Sequence, residues 1–79
     1  MNREDIFAKL TKVFCDVFDT PSIVLTETTT SDDIEDWDSL AHLTLVAEIE
    51  GSFDTKFTIG EIAGIKTVGD ILGLLAKKV

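Results

Sequence analysis

Residues that cross-link a chain or bind a structural metal are almost missing from this sequence. It contains one cysteine and one histidine in 79 residues. It can therefore form no internal disulfide, and it offers no set of structural zinc ligands. A chain of this length makes one small domain, which buries only about 60% of its unfolded surface. We expect a single domain over residues 1–79 that depends on its apolar core alone.

Long apolar segments are missing as well. No run approaches the roughly 20 apolar residues that span a membrane, and the charged N-terminus "MNREDIFAKL" lacks the apolar core of a signal peptide. Cys15 lies in a helical apolar pattern, which is typical of a buried, inert thiol. Because a free thiol fits a reducing compartment, we expect a soluble, cytoplasmic protein, and nothing demands more than a monomer.

Basic residues are absent from the middle of the chain, and the net charge is −8. Nucleic-acid binding needs cations that displace counterions from phosphates, so this class is disfavoured. Such a one-sign region is either a solvated acidic face or a field that steers positively charged partners. Between Val13 and Thr55 there is no Lys or Arg, and the acids are Asp16, Asp19, Glu27, Asp32, Asp33, Glu35, Asp36, Asp38, Glu48, Glu50 and Asp54.

Apolar periodicity predicts three long helices, one short helix and no convincing strand. The first helix is capped by Asn2 and stopped by Asp19-Thr20-Pro21, since the residue before proline avoids the helical region. Thr-x-x-acid patterns predict two later starts, at Thr58 for a short helix to about Ala63 and at Thr67 for the last helix. The fold class is all-α, a small four-helix bundle with a long loop between helices one and two. Four apolar residues should hold this loop to the core: Ile23, Val24, Leu25 and Ile34.

The second helix is predicted to start at Asp38 or Ser39 and to end at Gly51-Ser52, with glycine as the stop signal. It has two apolar stripes where a surface helix needs only one. The core face comprises His42, Leu45, Val46, Ile49 and Phe53, with His42 at its edge. The second stripe comprises Leu40, Leu43 and Ala47. From periodicity alone, the second stripe marks either deeper burial or a docking patch.

The residues around Ser39 favour a modification site over catalysis. Asp38, Ser39 and His42 are the three residue types of a catalytic triad, but no G-x-S-x-G turn surrounds the serine. An EF-hand loop starting at Asp32 fails because Trp37 stands where glycine is needed, and we expect no specific metal site. Asp38 is already a good helix cap. Ser39 is therefore free to carry a phosphoester, which the positive end of a helix stabilises.

The "DSL" of Asp38-Ser39-Leu40, at the head of the second helix and after a long loop, resembles the acyl carrier protein family. The resemblance extends over nearly the whole chain, through "DSLAHLTLVAEIEGSFDTKF" and "KTVGDILGLL". It implies that Ser39 carries 4′-phosphopantetheine, donated by coenzyme A, whose thiol bears acyl groups as thioesters. It also implies that the protein catalyses nothing itself. The expected partners are a phosphopantetheinyl transferase and the acyl-loading and acyl-processing enzymes of fatty-acid, polyketide or other specialised biosynthesis, with basic docking surfaces.

The resemblance assigns partner docking to the second stripe and its neighbours: Asp38, Leu40, Leu43, Ala47 and Glu48. Ala41, Thr44 and Gly51 stand where fatty-acid carriers often have acids. With these residues, and with Trp37 and "AHL" on either side of the Asp-Ser-Leu motif, the sequence looks more like those of carriers dedicated to polyketide, lipopolysaccharide or other specialised pathways. Trp37 is either such a pathway feature or a structural plug. The alternatives are an aminoacyl or peptidyl carrier, and an unmodified acidic interaction module.

We predict that salt raises the melting temperature, because crowded acids repel one another more in the compact state than in an expanded chain. NaCl screens such charges over about 10 Å at 0.1 M. Mg²⁺ or Ca²⁺ should act at much lower concentration by bridging carboxylates. Asp33→Asn with Asp36→Asn should stabilise the protein in low salt and weaken the response. A melting temperature that is flat in both titrations would show that the acids are too far apart to matter.

Overall fold

The computed structural model describes residues 2–79, which form four α-helices and no β-strand in that range. The helices are α1 (Arg3–Val17), α2 (Ser39–Phe53), α3 (Ile59–Gly64) and α4 (Val68–Lys78). A single antiparallel bridge joins Thr30 to Thr67. Helix α1 packs against both α2 and α4. The predicted all-α class, with three long helices and one short one, is confirmed.

The core contains one face from each long helix, together with Phe18, Leu25 and Trp37 from the segment between α1 and α2. Helix α1 presents the face expected from its periodicity, and Cys15 beside it is only half-buried rather than fully buried. Phe53 and Phe57 close the core at the far end of α2. The most deeply buried side chains are Ile6, Leu10, Phe14, Leu45, Ile49, Val68, Ile71, Leu72 and Leu75.

Every helix begins with a side chain that accepts a backbone N–H, as the sequence predicts. Helices α3 and α4 have complete capping boxes, Thr58 with Glu61 and Thr67 with Asp70. Backbone N–H donors hold the pKa of both carboxyls below their usual range: Thr58 lowers the pKa of Glu61, and Lys66 with Thr67 lowers the pKa of Asp70. These helix starts are therefore specified locally.

Two details of the predicted elements are wrong. Helix α2 continues through Gly51, and the residue in the left-handed conformation is Asp54, with φ of 52°. An aspartate tolerates this conformation and takes the place of the expected glycine. In the loop, Val24 does not reach the core, since it is 83% exposed, whereas Leu25 is buried and Ile23 and Ile34 are partly buried.

The α1–α2 loop (residues 18–38) is fastened to the start of α4 by backbone hydrogen bonds. Val68 donates its N–H to the carbonyl of Thr29 at 2.9 Å, and Gly69 donates to the carbonyl of Glu27 at 2.8 Å. Thr29 is buried, and its hydroxyl accepts the N–H of Thr26 at 2.9 Å. The loop thus uses N–H groups that the first turn of a helix leaves without partners.

Gly69 permits this close approach, and we predict that Gly69→Ala destabilises the protein by about 1–2 kcal/mol. A Cβ at position 69 would lie 2.8 Å from the carbonyl oxygen of Glu27, whereas one at Gly73 meets nothing within 4 Å. Gly73→Ala, in the same helix, is the matched control. It should stabilise by up to about 1 kcal/mol through helix propensity.

Urea denaturation of the two variants measures this difference. If Gly69→Ala were as stable as Gly73→Ala, the loop would not be pressed against α4 in solution.

Candidate functional site at the head of the second helix

Asp38 sets the start of α2 and the position of Ser39. The Asp38 carboxylate accepts the N–H of Ala41 at 2.8 Å, and its carbonyl accepts the N–H of His42, also at 2.8 Å. Ser39 is consequently the first residue of the helix, and its side chain is exposed. Within residues 2–79, the Ser39 hydroxyl makes no hydrogen bond to another group. The predicted division of roles, in which Asp38 caps and Ser39 stays free, matches this geometry.

Trp37, immediately before the cap, is a buried anchor. It is 6% exposed, and its ring meets that of Phe14 edge-on with centroids 5.3 Å apart. Phe18 lies against the same ring at 6.5 Å. Of the two interpretations of Trp37, the structural plug is the one that this packing supports.

His42 follows Ser39 by one turn and lies at the edge of the core, half-buried. Its Nδ1 accepts the indole N–H of Trp37 at 3.0 Å, and the two rings are stacked with centroids 6.0 Å apart. On the other side of the ring, Nε2 lies 3.4 Å from the carbonyl oxygen of Ile62 in α3. The ring is therefore occupied on both nitrogens and is not available to activate Ser39 as a nucleophile.

A groove with a volume of about 500 Å³ opens beside Ser39. We call it the Ser39 groove. Its walls mix polar and apolar groups, and Lys66 is the cation among them. It is lined by Ser31, Trp37, Asp38, Ser39, His42, Ile62, Ala63, Ile65 and Lys66. An elongated group attached at Ser39 thus has a concave surface directly beside it.

The second stripe of α2 is exposed. Leu40 is 75% and Leu43 59% exposed, and Ala47 and Glu48 are also exposed. The alternative of deeper burial is therefore wrong, and the core face of α2 lies elsewhere on the helix. Ile59, at the start of α3, is 87% exposed. No pattern in the sequence predicts an exposed apolar side chain here, because within "TIGE" the position looks fixed only by the cap.

Among residues 2–79, no group of three or more His, Cys, Asp or Glu side chains is arranged to hold a metal ion. In the same range, none of the helices combines the length and the apolar character needed to cross a bilayer.

Comparisons with known proteins fit this geometry. The family model described as "Phosphopantetheine attachment site" matches residues 8–75. A solution NMR structure of a holo acyl carrier protein from Geobacter metallireducens is 45% identical, with a TM-score of 0.85; the alignment covers 92% of this chain and 83% of that one. A search of curated proteins found no significant match. The chain belongs to the acyl carrier protein family, which comprises carriers rather than enzymes and whose cofactor is a covalently attached 4′-phosphopantetheine.

Proposed function

We propose that Ser39 is the attachment point of the 4′-phosphopantetheine arm. The observation that carries this proposal is an exposed Ser39 hydroxyl, without a hydrogen-bond partner among residues 2–79, next to a cap formed by its neighbour Asp38. The capping hydroxyls of Thr58 and Thr67 are in contrast occupied, because each accepts a backbone N–H of its own helix.

The residues around Ser39 suit a phosphodiester. Asp38 satisfies the N–H of Ala41, and the N–H groups of Ser39 and Leu40 have no acceptor within the helix, as at any helix start. These groups and the helix dipole favour a negative charge. Lys66, in the Ser39 groove, adds a cation near the same place. The arm supplies a terminal thiol that holds an acyl group as a thioester, and the groove gives it a surface to lie on.

We propose that the second stripe is the docking surface for partner enzymes. Leu40, Leu43 and Ala47 form an exposed apolar strip directly after Ser39, flanked by Asp38 and Glu48. A small apolar strip in an acidic field gives fast, electrostatically steered and weak binding to basic surfaces, which suits the exchange of one partner for the next. The tether then raises the effective concentration of the acyl group at each partner.

The pathway proposed is a dedicated one, such as polyketide or another specialised acyl pathway, rather than general fatty-acid synthesis. It rests on Ala41, Thr44 and Gly51, uncharged residues along α2 where fatty-acid carriers often have acids. A phosphopantetheinyl transferase and basic acyl-transfer enzymes are the proposed partners. We propose that the protein acts as a cytoplasmic monomer.

We predict that a phosphopantetheinyl transferase with coenzyme A adds one phosphopantetheine to the wild-type chain and none to Ser39→Ala. Intact-mass spectrometry measures the addition, and the helical circular dichroism should be unchanged because the Ser39 hydroxyl is exposed and forms no hydrogen bond within residues 2–79.

Ser31→Ala is the matched control, since Ser31 is an exposed serine that lines the same groove. It should be modified like the wild type. Modification of Ser39→Ala would disprove the assignment, and loss of modification in Ser31→Ala would show that the groove itself had been disturbed.

We predict that Leu40→Ala and Glu48→Lys slow transfer of the arm or of an acyl group while leaving the free energy of unfolding nearly unchanged. Both side chains are exposed, so substitution creates no cavity. Val24→Ala is the control, because Val24 is 83% exposed but lies outside α2. A loss of more than about 2 kcal/mol in Leu40→Ala would mark this residue as core and contradict the docking role. Equal transfer rates for Leu40→Ala and Val24→Ala would contradict it too.

A further inference from the structure

One chain of polar contacts near Ser39 is not used by attachment or docking. It runs from the indole of Trp37 through the ring of His42 to the carbonyl of Ile62. Trp37 belongs to the end of the α1–α2 loop, His42 to α2, and Ile62 to α3. One imidazole therefore joins three segments of the chain, and all three residues line the Ser39 groove.

The two partners of His42 define its protonation state. The indole N–H can only donate, so Nδ1, 3.0 Å away, must carry a lone pair. The Ile62 carbonyl can only accept, so Nε2, 3.4 Å from it, carries the hydrogen. Only the neutral Nε2–H tautomer satisfies both contacts. An imidazolium would place an N–H at Nδ1 against the N–H of Trp37, which is buried.

Helix α3 has few other attachments to the bundle. It comprises six residues, none of which is fully buried. Ile62 is partly buried and packs against the core. Glu61 forms an ion pair with Lys78 at 3.0 Å. The contact from His42 is thus one of a small number that hold the α3 wall of the Ser39 groove in place.

We propose that His42 is a positioning residue and a proton-sensitive latch. In its neutral form it ties the Trp37 anchor to α3 and sets the wall of the Ser39 groove. Protonation at Nδ1 breaks the bond to Trp37, turns the ring, and releases the α3 wall.

The charged groups that line the groove with His42 come from two places. Asp38 caps its own helix, and Lys66 lies on the connection between α3 and α4. From α3 itself only Ile62 and Ala63 reach the groove, and Phe14 and Phe18 behind Trp37 are uncharged. Asp38 and Lys66 carry charges of opposite sign, so their effects on the ring oppose each other. The hydrogen bond from Trp37 itself requires a lone pair on Nδ1 of His42. The latch therefore depends on the ring's own protonation.

NMR on the phosphopantetheine-loaded and the unloaded protein tests the latch directly. At pH 7.5 the ring ¹⁵N spectrum should show the Nε2–H tautomer. Between pH 7.5 and 5.5 the exchange of the Trp37 indole hydrogen and of the α3 amides, corrected for intrinsic rates, should rise roughly three- to tenfold, the range expected for one lost hydrogen bond. An Nδ1–H tautomer, or protection that does not change with pH, would overturn the proposal.

His42→Asn separates positioning from mere packing. The asparagine oxygen can accept the Trp37 N–H but does not titrate, so this variant should keep the indole hydrogen protected at both pH values. His42→Leu removes the acceptor and should leave that hydrogen unprotected at both. If His42→Asn retained the wild-type pH response, the imidazole would not be the sensor. If it did not fold, the wild-type measurements alone would decide.

The effect on the arm, which rests on the proposed role of Ser39, is measured as the rate of loading by the transferase. The ratio of the wild-type rate to the His42→Asn rate cancels the pH dependence of the transferase itself. This ratio should be constant above pH 7 and fall roughly threefold or more below pH 6. A constant ratio with normal loading would refute the latch and leave Ser39 as the attachment point, whereas failure of all loading would refute the role of Ser39.

Discussion

The hydrogen bond from the N–H of Ala41 to the carboxylate of Asp38 is the contact on which the site depends. It caps α2 from the residue before Ser39 and so keeps the serine outside the capping interaction. The other helices that begin near the groove are capped differently: Thr58 and Thr67 use their own hydroxyls. If serine or threonine capped α2 at position 38, the next residue would still be exposed. The start of the helix would, however, carry one negative charge fewer. An aspartate here caps the helix and also adds to the acidic field that the proposed partners meet.

Burial immediately before this cap supplies the rigidity that a docking site needs. Trp37 is packed among Phe14, Phe18 and His42, whereas Ser39 and Leu40 are exposed. The chain passes from core to surface within two residues. The buried Trp37 side chain thereby anchors the first turn of α2 to the core. A reactive group on a rigid helix is positioned more accurately than one on a loop.

Local signals in the sequence predicted most of this architecture, and long-range contacts account for what they missed. The caps at Asn2, Asp38, Thr58 and Thr67 depend on residues three positions apart, so the pattern alone identifies them. The prediction that Val24 reaches the core was wrong, because burial in an irregular segment follows no period. Its neighbour Leu25 is the buried residue. The hydrogen bond between Trp37 and His42 joins residues five positions apart across the start of a helix. The contact between His42 and Ile62 joins residues twenty positions apart. No periodicity predicts such contacts, although the sequence does place a tryptophan five residues before its one histidine.

The attachment of the loop to α4 also bears on the order in which the molecule assembles. Gly69 and Glu27 meet backbone to backbone although they lie 42 positions apart in the sequence. Such distant contacts are slow to form, because a long stretch of chain must be closed before they contribute. Once made, this contact divides one long loop into two shorter ones, and the second of these ends at Trp37. Because α4 follows α2 in the chain, it leaves the ribosome later than Ser39 does. A nascent chain that still lacks α4 would therefore lack the contacts that order the approach to Ser39.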